Sequence, residues 1–274
     1  MIRILIAVIG FLLFPVAHAS QLSGGAGIVY GAGVNNFGST YARACYENHI
    51  LPDCVFVGAG FSTVHYDGIY RQYDERLLVG MGKYFSLDSD ARLSVELAFS
   101  RRGHELSRDS SGIDLRTSND GVVLSLGYEQ GFSGYGFFAL RGGLDAGTGN
   151  PQISVNPGLY SGTDFEQQKS LFLLVELGIT NFHGMDFATY AHITTRDEDE
   201  PIVDFYPDSD LCETTETHNV FGVRASFLRF ISVGVEQIQG ACENKDYRFV
   251  IGASYSIDDP LNFGGQSWSG FFRL

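Results

Sequence analysis

Large apolar side chains alternate with small or polar ones along most of this chain, with the period of two that marks β-strands whose two faces meet different surroundings. Between 91 and 101, Leu93, Val95, Leu97 and Phe99 alternate with Arg92, Ser94, Glu96, Ala98 and Ser100. Between 120 and 130, Val122, Leu124, Leu126 and Tyr128 alternate with Val123, Ser125, Gly127 and Glu129. The same phase runs through Phe221, Val223, Ala225 and Phe227, through Ile231, Val233 and Val235, and through Tyr247, Phe249, Ile251, Ala253 and Tyr255. No internal stretch is long and apolar enough to cross a bilayer as a helix, so the pattern predicts an all-β protein.

The charges sort onto one face. Arg76, Arg92, Glu96, Glu129, Arg141, Asp145, Glu176, Arg224, Glu236 and Arg248 all lie opposite the apolar row of their strand, five of each sign. Lys83 breaks the rule, near a strand end where it can reach water. The face that carries the ten charges is otherwise mostly Gly, Ser and Ala, which suits a narrow enclosed interior; the continuous aliphatic and aromatic face suits lipid. The pattern therefore predicts a transmembrane, antiparallel, up-and-down β-barrel. Glu176 is the test case, since it interrupts "LFLLVELGIT" at 171–180. A carboxylate there is tolerable if it points into a polar lumen toward an arginine on a neighbouring strand. Its face is shared by Phe172 and Leu174, so that strand obeys the rule least well.

Short connections are expected near 86–90, 130–134, 182–186 and 228–230, and long polar ones at 102–119, 148–168 and 196–218. Long loops on one side and short turns on the other are the outer-membrane arrangement. Ten strands fit between Val55 and Ile257. The segment 22–48 adds two more if "NNFG" turns one strand into the next, giving twelve; a ten-strand barrel with an N-terminal plug is the alternative.

Before the barrel, Arg3, the apolar "ILIAVIGFLLFPVA" and "AHA" ahead of Ser20 have the form of a signal peptide over 1–19, which predicts an exported protein. The barrel domain then covers 20–257, and 258–274 is either a tail or, through "SWSGFFRL", the last strand instead. Four cysteines in an exported chain predict disulfides. Cys45–Cys54 and Cys212–Cys242 are the favoured pairs, over the other pairings open to four cysteines. No C-x-x-C motif or clustered histidine accompanies them to make a zinc site.

With these features the chain resembles the small outer-membrane β-barrel proteins of Gram-negative bacteria. The sharpest piece is "IGASYSI" at 251–257, which looks like the terminal-strand signal such barrels present, with Ile257 in place of the usual aromatic residue. The resemblance implies the bacterial outer membrane as location. It implies outer-membrane lipid, lipopolysaccharide and the barrel-insertion machinery as partners.

Net charge of −14, with lysine only at Lys83, Lys169 and Lys245, argues against nucleic acid as a partner. The acidic loop 196–217 holds Asp197, Glu198, Asp199, Glu200, Asp204, Asp208, Asp210, Glu213 and Glu216, oxygen ligands suited to a divalent cation. It lacks the glycine-kinked D-x-D-x-D-G form, so it reads as a solvated acidic loop and no metal site is assigned. No G-x-S-x-G motif is present for a serine hydrolase, and the glycine-rich "GAGIVYGAGV" lacks dinucleotide-binding spacing. His192, in register with Tyr190 and close to the acidic loop, is the candidate for an aspartate/histidine protease site at the outer rim; a lumen hydrogen-bond network explains it better. The expectation is a non-enzymatic barrel without cofactor, a narrow pore or a closed structural barrel. The alternative is a surface binding module using disulfide-braced acidic outer loops. A barrel protease or lipid hydrolase ranks below both.

Overall fold

A computed structural model describes residues 22–32, 36–46, 54–66, 70–87, 90–108, 113–132, 136–155, 158–161, 166–183, 185–198, 215–227, 231–239 and 245–257. The signal peptide 1–19, Cys212, Cys242, most of the acidic loop and the segment 258–274 lie outside them.

The described residues form thirteen strands and no helix. They are β1 (Leu22–Ala32), β2 (Asn36–Tyr46), β3 (Cys54–Tyr66), β4 (Tyr70–Ser86), β5 (Ala91–Arg108), β6 (Ile113–Phe132) and β7 (Gly136–Val155). There follow β8 (Gly158–Ser161), β9 (Glu166–Phe182), β10 (Met185–Glu198), β11 (Thr215–Phe227), β12 (Ile231–Gln239) and β13 (Lys245–Ile257). Every neighbouring pair is antiparallel, and β13 closes onto β1 from Gly24↔Ile257 to Ala32↔Phe249. Strand β8 only extends the end of β7, while β7 pairs directly with β9. The wall is therefore a closed up-and-down barrel of twelve strands. Closure of the twelve wall strands on one another leaves none of them at a sheet edge, and an open edge is what a bilayer would not tolerate.

Strands β1 and β2 sit in the wall with continuous pairing on both sides, so the ten-strand alternative with a plug is excluded. Both chain ends of the barrel, the connections at 87–90, 133–135, 183–184 and 228–230, and the β2–β3 hairpin lie at one end. At the opposite end, the expected loops 102–119 and 148–168 are largely strand. Pairing of β5 with β6 continues in one register from Ala91↔Gln130 to Arg108↔Ile113, and β7 follows β6 to Val155. Backbone hydrogen bonds carry this ladder onward after the apolar alternation has stopped. The wall is thus tall at β5–β7 and low at β12, which has nine residues.

The outward face is an apolar band. Leu77, Val79, Leu97, Leu124, Leu126, Leu173, Leu177, Val223 and Phe249 are all exposed on it. At the short-turn end, exposed Phe85, Phe132, Phe182, Phe187 and Phe227 gather where an aromatic girdle meets the membrane–water interface. Toward the other end the band is interrupted by the outward pair Arg101–Asp120, at 3.8 Å and well exposed. Lys83 is half-buried on the outward face near the short-turn end of β4.

Candidate functional site: the charged lumen

The ten charges on the inward face meet one another inside the barrel, in three groups. Nearest the short turns, Arg92 donates to Glu129 through Nε at 2.8 Å and through a second guanidinium nitrogen. Arg141 Nη1 donates to Glu96 Oε2 at 3.0 Å, and its Nη2 lies 3.9 Å from Glu129 Oε1. Glu96 also accepts from the Tyr84 hydroxyl and from Ser125 Oγ, each at 2.8 Å. The guanidiniums of Arg43 and Arg92 lie over the Tyr84 ring, 5.7 and 5.1 Å from its centroid.

Toward the tall rim, Asp145 accepts from Arg76 at 2.5 Å, from Arg102, and from Ser100 Oγ at 3.1 Å. Arg102 also donates to Ser170 Oγ at 3.0 Å. On the other side of the lumen, Arg248 donates to Glu236 at 2.6 Å, and Glu236 accepts from the Tyr190 hydroxyl. Arg224 pairs with Glu176 and lies over the Tyr190 ring. The partner of Glu176 thus comes from β11, one strand further than the expected neighbour, with β10 between them.

These charges are held by strands that tilt and stagger around the barrel. Side chains close in space therefore come from strands up to three apart, as Arg76 on β4 and Asp145 on β7 do. Between the first two groups lies an apolar layer of Tyr41, Phe56, Leu78, Ala98 and Val123, with Phe172 packed against it. Strand β5 crosses all three levels in order: Arg92 and Glu96, then Ala98, then Ser100 and Arg102. Glycine supplies the room this packing needs. A Cβ on Gly222 would run into the Tyr190 ring, and one on Gly80 into Phe56 and Ala98.

The alternation did not select Arg43, Arg102 or Tyr84, which the structure brings into the same networks. His192 is buried on the lumen side of β10, its Nε2 3.3 Å from Thr194 Oγ1, and is not offered at the rim to a substrate. Among the described residues, no three His, Cys, Asp or Glu side chains converge as metal ligands. Cys45 and Cys54 are bonded across directly paired positions of β2 and β3. That bond lies at the short-turn end, so it braces none of the loops at the opposite rim.

Comparison with known proteins identifies the fold. No family model and no curated sequence matches the chain. Among solved structures it is similar to the translocator domain of the autotransporter NalP from Neisseria meningitidis, with a TM-score of 0.53 and 12% identity over 92% of this chain and 96% of that one. The β domain of the Bordetella autotransporter BrkA gives 0.48 and 14%, over 86% and 99%. The KdgM porin gives 0.42 and 9%, over 85% and 99%.

Proposed function

We propose that this integral barrel of the bacterial outer membrane is non-enzymatic and closed, with its lumen filled by its own side chains. The observation that carries this reading is burial inside the lumen. Glu96 and Glu176 are 1% exposed, and Glu236 and Leu78 are 0% exposed. A water-filled channel would hydrate carboxylates that line it, whereas these are received by arginine, tyrosine and serine, as buried charge requires. The apolar layer across β2–β6 supports the same reading, because side chains there pack on one another. Outer-membrane lipid and lipopolysaccharide would cover the apolar band, and the barrel-insertion machinery would deliver the chain after export.

The test is planar-bilayer conductance of the purified full chain. A closed barrel gives no steady open level. A persistent conducting state in salt solution refutes closure and makes the chain a pore. The tall wall at β5–β7 also supports a surface-binding role at the rim. Capture of ligand by intact cells, lost on shortening 109–112, tests that role separately.

A further inference from the structure

A groove of about 390 Å³ is set into the outward face of β9–β13. One hydrogen-bonded row defines it: Val175, Ala191, Phe221, Gln237 and Tyr247 stand side by side on consecutive strands. The hollow arises because Ala191 and, in the next row, Thr189 are short while β9 and β11 raise larger residues on either side. Gly222, which has no side chain, and Tyr190 form its floor.

The groove has a direction. Tyr247, 63% exposed, and Gln237 lie close to the end of the barrel that carries the long connections. Val175 lies half-way along β9, within the apolar band. A polar end near the membrane surface and an apolar end at depth match the polarity of a lipid whose headgroup faces the long-loop side. The hollow is continuous with the lipid-facing band, so lipid is what reaches it. A second copy fits less well, because its convex wall would bridge the hollow and leave it empty, at a packing cost.

We propose that this groove seats one acyl chain of a lipid from the long-loop leaflet, with Gln237 and Tyr247 beside the polar linkage of that chain. The site is outside the lumen and independent of whether the lumen conducts. The experiment uses the full chain reconstituted in vesicles of phosphatidylethanolamine and phosphatidylglycerol. It is then extracted into mild detergent and examined by native mass spectrometry as detergent is raised. Wild type should retain one lipid after the others are stripped. Ala191→Trp fills the hollow and should reduce that retention at least about tenfold, since displacing even two methylenes from the groove does so. Leu124→Trp, equally bulky but on β6, should retain it.

Gln237→Leu keeps the shape and removes the amide, and should weaken retention several-fold. It decides the matter if Ala191→Trp does not fold, which gel migration with and without boiling reveals. Equal retention by wild type and both groove variants overturns the proposal, as does absence of a retained lipid in wild type. A dimer that Ala191→Trp converts to monomer overturns it too, by assigning the groove to a second copy.

Discussion

Removing the Glu176 carboxylate is expected to destabilise the barrel by about 2–4 kcal/mol, more than removing both members of its ion pair. Glu176 is 1% exposed, and its partner Arg224 is 13% exposed. Breaking a buried pair by deleting one partner typically costs about 3–5 kcal/mol, because the remaining charge is left without water. Stacking of Arg224 on Tyr190, with its guanidinium 5.8 Å from the ring centroid, offsets roughly 0.5–1 kcal/mol of that. Replacing both residues by leucine removes the stranded charge, so Glu176→Leu/Arg224→Leu should lie within about 1 kcal/mol of wild type or above it. The assay is urea unfolding from phospholipid vesicles, followed by the fraction of folded band on unboiled gels, for wild type, both single variants and the double variant. A Glu176→Leu variant as stable as wild type refutes the reasoning. It would mean that Arg224 finds water in the lumen, and the same result would count against a filled barrel.

Further expectations concern the wall and its turns. Leu124→Arg, on the exposed apolar face of β6, should cost about 2–4 kcal/mol if it lies near the bilayer midplane, read as reduced folding into vesicles. Reduction or Cys45→Ser/Cys54→Ser opens a bond of sequence separation 9 and should lower stability by roughly 2.5–3 kcal/mol on the chain-entropy account, measured as a shift in urea midpoint. His183 holds a left-handed backbone conformation, φ 51°, in the β9–β10 turn. His183→Gly should relieve about 1–2 kcal/mol of backbone strain, less what is lost with the edge-on Phe182 contact, and His183→Val should destabilise. The unfolding midpoints of the two variants check the order.

The faces of the strands were legible because one-residue alternation needs no knowledge of partners. Leu93 and Glu96 declare their sides whatever strand lies beside them. Arg43 did not declare its side, because "TYARACY" alternates with alanine and has no large apolar row opposite it. Arg102 stands beside Arg101, on opposite faces at the edge of the apolar band, and only continuing the phase of Arg92 and Glu96 outward would have assigned it. The upper ends of β5–β7, within 102–119 and 148–168, carry no strand signal for a related reason. Above the membrane both faces of a strand meet water, so apolar alternation disappears while backbone pairing persists. Among the lumen charges, which residue meets which was not legible beyond an arginine for Glu176, and that arginine lies two strands away. Strand tilt and stagger set which inward residues meet, and neither is written in the periodicity of one strand.

Phe172 and Leu174, which made the strand of Glu176 look irregular, carry information once the partners are known. In a hydrated lumen two large apolar residues on the inward face would be costly, and the face assignment itself would be in question. Here Leu174 is buried and Phe172 packs against the layer containing Val123, while Glu176 further along the same face meets Arg224. The inward face of β9 thus steps from apolar packing to a paired charge within one strand. The same step occurs on β5 between Ala98 and Glu96. Two strands on different parts of the wall changing character on the inward face are what a packed interior demands, since each inward residue must suit the side chains it meets. A water-filled channel imposes no such requirement, because water accommodates any polar residue at any level. The irregularity of "LFLLVELGIT" therefore supports closure: Glu176 is acceptable because a specific arginine receives it, and Phe172 because it packs against the apolar layer.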